Sequence, residues 1–172
     1  IMPDKKYVNT GLDGDYGNIE ADFTVKSDSV TFRLCKLDGS SYEGVKVSAT
    51  EPEDPANMEL WIDTSGVPHT LKQYSTTSMM WVSIATTYIK ITATGLGIPF
   101  SEGDGVTISG VETLKDLNST MIVWAKGDNY IVVTGILDKV VTQEKPITVA
   151  RRMPNMDFII ESENRLWGCR YG

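Results

Sequence analysis

The three residue types of a hydrolase triad occur together in one short segment of the chain. Asp63, Ser65 and His69 supply an acid, a nucleophile and a base within seven positions. A working triad needs side chains that converge on one acyl group, whereas neighbours on a single hairpin turn fan outward. We therefore interpret Asp63 and Ser65 as residues that satisfy turn backbone groups, and His69 as a residue at the solvent edge. The sequence predicts no catalytic residue and no enzyme.

Two further motifs match a metal loop and a cofactor loop only in part. The acidic turn at residues 13–18 lacks the Gly and Glu that a calcium loop carries at its sixth and twelfth positions. The run Gly95-Leu96-Gly97 lacks the third glycine of a dinucleotide loop, and Pro99 stands where the helix would begin. We interpret both segments as turns. The sequence therefore predicts no metal site and no cofactor.

Composition places the chain among ordinary globular proteins and excludes several function classes. It has 172 residues, 41% of them hydrophobic, and a formal net charge of −7. A clustered excess of Lys and Arg, which nucleic-acid binding usually requires, is missing, so no nucleic-acid partner is expected. No run approaches the roughly 18 apolar residues that cross a bilayer, so no membrane insertion is expected. The two cysteines, Cys35 and Cys169, allow one disulfide that closes a long loop, but we favour free thiols in a reducing compartment.

The hydrophobic pattern has the period of short β-strands. Polar and apolar residues alternate in most runs, and turn residues recur every eight to twelve positions. Residues 60–84 predict a three-strand meander, and residues 121–125 predict a hairpin with residues 130–134 through a turn at 126–129. Only residues 111–118 have a helical pattern. The predicted fold class is all-β, a short-stranded sandwich or barrel with meander hairpins.

Charge and proline content predict where the chain divides. Residues 51–150 carry a net charge of −6, against −2 for residues 1–50 and +1 for residues 151–172. An acidic, proline-containing run at residues 51–59 is typical of a solvated linker. We predict an N-terminal β segment of a scaffold at 1–50, an inserted β-domain at 51–150, and a segment returning to the scaffold at 151–172. The chain is expected to be a fragment of a larger β-rich protein.

Two segments resemble parts of bacteriophage tail proteins. Residues 58–74, with Trp81-Val82 after them, resemble the Leu-Trp-x-Asp-Thr-Ser … Leu-Lys-x-Tyr … Trp meander of tail-fibre and other virion proteins. Residues 156–172, which include Asn164-Arg165-Leu166-Trp167-Gly168, are similar to a block in large tail-associated proteins of prophages from Gram-positive bacteria. The run at residues 164–168 resembles the start of a propeller-like blade in phage tail nozzle or hub proteins.

The resemblance implies a non-enzymatic structural component of a phage or prophage virion, associated with its tail or neck. Such a protein is assembled in the bacterial cytoplasm and acts through contacts with other virion proteins, as a homo-oligomer in the full assembly. A host-surface glycan or protein is a further candidate partner. The candidate interface residues are His69, Lys72, Tyr74 and Trp81, because large amphipathic side chains beside exposed turns are enriched at interfaces.

Two other hypotheses stay open. A carbohydrate-binding or adhesin module of a cell-surface protein would use exposed residues among the four tryptophans, although tryptophans in sheets are more often buried. A hydrolase fragment would have its catalytic partners outside this sequence.

Overall fold

The computed structural model describes residues 6–8, 10–18, 21–24, 29–151, 157–162 and 165–169. Their regular structure is almost entirely β, with a single 3₁₀ turn at Lys115–Leu117. The strands are β1 Lys6–Val8, β2 Tyr16–Asn18, β3 Ala21–Thr24, β4 Val30–Cys35, β5 Lys46–Ser48, β6 Leu60–Asp63, β7 Thr70–Ser75, β8 Met80–Ser83, β9 Tyr88–Thr92, β10 Gly105–Ser109, β11 Thr120–Ile122, β12 Ala125–Gly127, β13 Tyr130–Thr134, β14 Val141–Gln143, β15 Thr148–Arg151, β16 Phe158–Ser162 and β17 Arg165–Cys169.

Two antiparallel sheets form a β-sandwich. The five-stranded sheet has the order β12-β13-β9-β4-β14, and the four-stranded sheet has the order β11-β10-β15-β3. Alternation along each strand sends one set of side chains inward, as in β9, where Ile89 and Ile91 are buried. The all-β prediction is therefore confirmed, in its sandwich form, because the sheets do not close into a barrel.

A single hydrophobic cluster joins the two sheets. Its members are buried aliphatic and aromatic side chains, including Phe32 from the five-stranded sheet and Ile108 from the four-stranded sheet. Leu96 and Phe100, from the loop between β9 and β10, also belong to this cluster. Burying each such side chain contributes roughly 1.5–3 kcal/mol, so this cluster is the main source of the sandwich's stability. The Gly-rich loop that resembles a cofactor motif thus packs against the core.

A second four-stranded sheet, which we call the meander, lies between β4 and β9 in the sequence. Its order is β5-β6-β7-β8, with β6, β7 and β8 antiparallel and β5 parallel to β6. The predicted three-strand meander is confirmed, and β5 adds a fourth strand. β4 and β9 pair directly, with Cys35 opposite Tyr88, so residues 36–87 form an excursion from one antiparallel strand pair. The division of the chain at residues 50 and 150 stays a prediction, but strand pairing crosses position 50.

The predicted hairpin at residues 121–134 is wrong in its first strand. Only β12 pairs with β13, around the two-residue turn Asp128-Asn129, whereas β11 pairs with β10 in the opposite sheet. The chain changes sheets at Val123, which is fully buried and exchanges backbone hydrogen bonds with the loop at residues 103–104. The apolar run at residues 121–125 is therefore divided between two strands, one in each sheet.

The helical pattern at residues 111–118 gives only the 3₁₀ turn. The Asn118 side chain accepts a hydrogen bond from the Val111 N–H (2.9 Å) and donates one to the Val111 carbonyl (2.8 Å). These bonds close the segment into a loop and satisfy backbone groups that a helix would otherwise pair.

Two two-stranded hairpins, β1-β2 and β16-β17, complete the described structure. β16-β17 covers part of the segment that resembles a propeller blade; the rest of that segment, including Asn164 and residues 170–172, lies outside the described residues.

Cys35 carries a free thiol, and burial raises its pKa to about 11. That thiol is therefore protonated and weakly nucleophilic at neutral pH. The side chain of Cys169 lies outside the described part.

Candidate functional site

The meander has two chemically different faces. Val47 and Ile62 point to one side, where they line a groove of about 340 Å³ together with Leu34 and Leu137 of the sandwich. Alternation along the paired strands sends Trp61, Asp63, Lys72, Tyr74 and Trp81 to the other side. We call this second group of five residues the aromatic face.

The rings of the aromatic face contact one another edge to face. The Trp81 ring lies 5.3 Å from the Trp61 ring and 5.3 Å from the Tyr74 ring, measured between centroids, with interplanar angles of 66° and 60°. These are favourable geometries for aromatic pairs, each worth about 0.5–1.5 kcal/mol beyond the area it buries. The Lys72 ammonium lies 4.7 Å from the centre of the Trp61 ring, in a cation–π contact. The face is therefore held in one conformation before any partner arrives.

An ion pair anchors Lys72 to the neighbouring strand. Its ammonium donates to Asp63 Oδ2 at 2.8 Å, and both side chains are less than one quarter exposed. Asp63 Oδ1 accepts the backbone N–H of Ser65 at 2.9 Å. The hydrogen bond from Lys72 and those from Ser65 hold the pKa of Asp63 well below its usual range. Asp63 is thus an ionised structural carboxylate that satisfies a turn backbone group.

The two indole N–H groups of the aromatic face differ in their hydrogen bonding. Trp61 Nε1 donates to the Ser48 carbonyl at 3.0 Å, which ties β6 to the end of β5. Trp81 Nε1 is buried and has no hydrogen-bond partner among the described residues. An unpaired buried donor costs about 1–3 kcal/mol. The free chain therefore carries an unsatisfied polar group in the middle of the aromatic face.

The structure brings three of the four candidate interface residues together. Lys72, Tyr74 and Trp81 are members of the aromatic face. His69 precedes β7 and is partly buried, and within the described ranges its side chain takes part in no hydrogen bond or ion pair. Asp63 accepts hydrogen bonds from Ser65 and from Lys72, so its carboxylate is engaged by groups other than His69.

Sequence reasoning missed Trp61 and Asp63 as members of this face. The available signal was their spacing: β6 runs antiparallel to β7, so Trp61 and Asp63 lie opposite Lys72 and Thr70 on the same side of the sheet. Pairing residues 60–63 with residues 70–73 across the turn would have placed Trp61 and Asp63 on the same side of the sheet as Lys72. Trp61 is only 3% exposed, so it supports the face from below while Tyr74 and Trp81 lie partly at the surface.

A second aromatic pair lies on the sandwich. The rings of Tyr88 and Trp124 are 6.1 Å apart with an interplanar angle of 71°, and Trp124 is 44% exposed. Ile122, 49% exposed, is near Trp124 in the sequence and lines the same shallow cavity. Trp124 is the most exposed of the three tryptophans whose side chains the structure describes.

Among the acidic side chains of residues 51–59, Glu59 forms an ion pair with the meander. Glu59 forms an ion pair with Lys46 at 2.6 Å, and hydrogen bonds from Lys46 and from the Ala56 N–H lower its pKa. Glu51, Glu53 and Asp54 are exposed. Within the described ranges, His, Cys, Asp and Glu side chains nowhere gather in a group of three that could hold a metal ion.

Comparison with protein-family models, with curated proteins and with solved structures found no match to this chain. Among the residues that the structure describes, no helix is long and apolar enough to span a membrane.

Proposed function

We propose that this chain is a structural component of a phage or prophage virion, associated with its tail or neck, and that it acts through protein–protein assembly. The resemblance of residues 58–82 and 156–172 to tail proteins supports the virion setting. Other virion proteins are its partners, and the particle is built in the bacterial cytoplasm.

The observation that carries this proposal is the aromatic face. Aromatic residues and desolvated charged pairs dominate the binding energy of protein interfaces, especially where the side chains are already fixed. Tyr74 and Trp81 are fixed by ring contacts, and Lys72 is fixed by Asp63. A partner carbonyl that reached Trp81 Nε1 after a small ring movement would also satisfy the unpaired donor.

The proposal is tested by measuring how much of the chain is incorporated into virus particles. Virions from an induced lysogen that encodes the chain are purified, and the chain is quantified by mass spectrometry. We expect the wild-type chain in stoichiometric amount and a reduced amount for Trp81→Ala. The matched control is Trp124→Ala, which breaks an equivalent Tyr–Trp pair on the sandwich and is expected to leave incorporation unchanged. Particles that lack the wild-type chain would contradict the proposal.

A carbohydrate-binding module is the second candidate, and the exposed Trp124 favours it. An aromatic ring beside an open apolar surface can stack on a sugar ring. A glycan array with wild-type and Trp124→Ala chains separates the two functions. Binding that Trp124→Ala abolishes would support the carbohydrate function, and silence of the wild-type chain would reject it.

A further inference from the structure

The outer strand of the meander, β8, has an unpaired edge. Among the described strands it is hydrogen-bonded to β7 alone. The Ile84 N–H donates to the Leu71 carbonyl at 2.8 Å, and this bond sets which backbone groups face β7. In an antiparallel ladder these groups alternate, so the N–H and C=O groups of Trp81 and Ser83 point away from β7.

This edge lacks the devices that usually prevent strand pairing. Natural edge strands are commonly protected by Lys, by Pro or by a bulge. Residues 73–89 contain no Asp, Glu, Lys, Arg or Pro and form the longest uncharged run of the chain. The opposite edge of the same sheet, β5, carries Lys46 in an ion pair with Glu59. The two edges of the meander therefore differ in protection.

The side chains of β8 are also exposed and apolar. Met80 is 62% exposed and Val82 is 52% exposed, both on the face opposite the aromatic face. Met79, in the preceding turn, is 77% exposed. Apolar residues next to free backbone donors and acceptors form a surface that a β-strand covers well.

We propose that β8 pairs antiparallel with β8 of a second copy of this chain. This inference deepens the proposed assembly function and rests on it. A second copy fits because residues 73–89 are uncharged, so two chains of net charge −7 meet at this edge without placing like charges against each other. Both copies also bring the same free backbone groups. A two-fold contact between identical patches is self-complementary and closes after two subunits.

The outward groups define the register of the pair. Trp81 of one copy bonds with Ser83 of the other, and Ser83 with Trp81, so that each pair exchanges two hydrogen bonds. Val82 then lies opposite Val82 of the second copy, as a close pair with Cα atoms about 4.5 Å apart. Met80 of each copy flanks this pair and loses solvent contact.

The first test is the solution mass of the 172-residue chain, measured by light scattering over a concentration series. A single strand pair is a small interface, so we expect a weak monomer–dimer equilibrium. Val82→Lys places like charges across the axis and should raise the dissociation constant at least about tenfold. Met80→Lys is a second variant, used if circular dichroism shows that Val82→Lys is unfolded.

The matched control is Val47→Lys. Val47 is 46% exposed, on the same face of the meander but at the β5 edge. It should dimerise like the wild type. Equal weakening by Val47→Lys and Val82→Lys would indicate head-to-tail pairing of β8 with β5 and would overturn the two-fold contact. A wild-type chain that stays monomeric at the highest attainable concentration would also overturn it.

Cross-linking tests the register. Cα atoms about 4.5 Å apart lie within the span of a disulfide. Under mild oxidation, Val82→Cys should give a disulfide-linked dimer on a non-reducing gel, whereas the wild-type chain and Val47→Cys should not. No cross-link in Val82→Cys would refute the register.

Failure of this inference is distinct from failure of the proposed function. A chain that enters particles but stays monomeric in solution would refute strand pairing and leave the function standing. A chain that dimerises but is missing from particles would refute the proposed function and leave strand pairing standing.

Discussion

The side chains of the aromatic face are held in place by contacts with one another. Lys72 contacts the Trp61 ring and the Asp63 carboxylate at the same time. Trp81 contacts the rings on both sides of it. A change at any of these positions therefore alters the whole aromatic face.

The stabilising effect of the Asp63–Lys72 pair should depend on pH. The pKa of Asp63 is lowered in the folded chain, first by the Lys72 hydrogen bond and then by those from Ser65. A lowered carboxyl pKa stabilises the fold above the unfolded pKa of about 3.9, and this stabilisation is lost as pH falls toward the folded value. Asp63→Asn should therefore be less stable than the wild type at pH 7, and this difference should shrink below about pH 4.

Urea denaturation from neutral to strongly acidic pH would measure this difference. Glu112→Gln is the control, because the Glu112–Lys145 ion pair has side chains that are 54% and 73% exposed and should contribute little. A difference between Asp63→Asn and the wild type that is independent of pH would contradict the assignment.

The loop after β9 packs so closely against the β12–β13 hairpin that residue 97 must be glycine. A Cβ atom on Gly97 would lie 1.9 Å from the Gly127 carbonyl oxygen and 2.5 Å from that of Tyr130. Both oxygens belong to the β12–β13 hairpin, which cannot move without disturbing its pairing with β9. The loop after β9 can therefore approach this hairpin only because residue 97 has no side chain.

Gly97→Ala should lower the free energy of unfolding by about 2–3 kcal/mol, because the clash is with backbone atoms. Gly105→Ala is the matched control: a Cβ atom there meets nothing within 4 Å. Thermal and urea unfolding of both variants would check this. Equal stability of the two variants would show that the loop relaxes away from the hairpin.

Alternation predicted the strands well where one face is buried, as in β4 and β9. It failed at Val123, where a single apolar run serves two sheets, because local pattern carries no information about which sheet a strand joins. It also missed β5, since three residues with a lysine give no detectable period. The sequence predicts His69, Lys72, Tyr74 and Trp81 as interface residues because large amphipathic side chains stand there beside an exposed turn. Residue type favours burial for every tryptophan alike, so it does not place Trp61 on the aromatic face.

The hydrophobic core of the sandwich contains no residue of the meander. No member of its hydrophobic cluster lies within residues 36–87. Trp61, Ile62 and Leu71 are buried in the meander, outside that cluster. The excursion from β4 to β9 is therefore added to a core that the other strands complete.

Replacing residues 36–87 by Asn-Gly should leave a folded sandwich. Cys35 and Tyr88 are already paired, so a two-residue hairpin turn can join them. The free energy of unfolding should fall by about 1–3 kcal/mol, because Val132 loses its cover near Gly39. Circular dichroism and cooperative urea unfolding would check this.

Deleting residues 94–103 is the contrasting change. It removes Leu96 and Phe100 from the cluster and should abolish cooperative unfolding. If the shortened chain without residues 36–87 also loses cooperativity, the sandwich requires the excursion after all.

The contact between Trp61 and Trp81 has an optical consequence. Two indoles with centroids 5.3 Å apart and planes at 66° couple their ultraviolet transitions and give a signed pair of bands in circular dichroism. Trp124 has a tyrosine as its ring partner and lies on the sandwich. The paired bands would therefore report on the meander, and their loss on heating could be timed against the loss of the β-sheet signal from the rest of the chain.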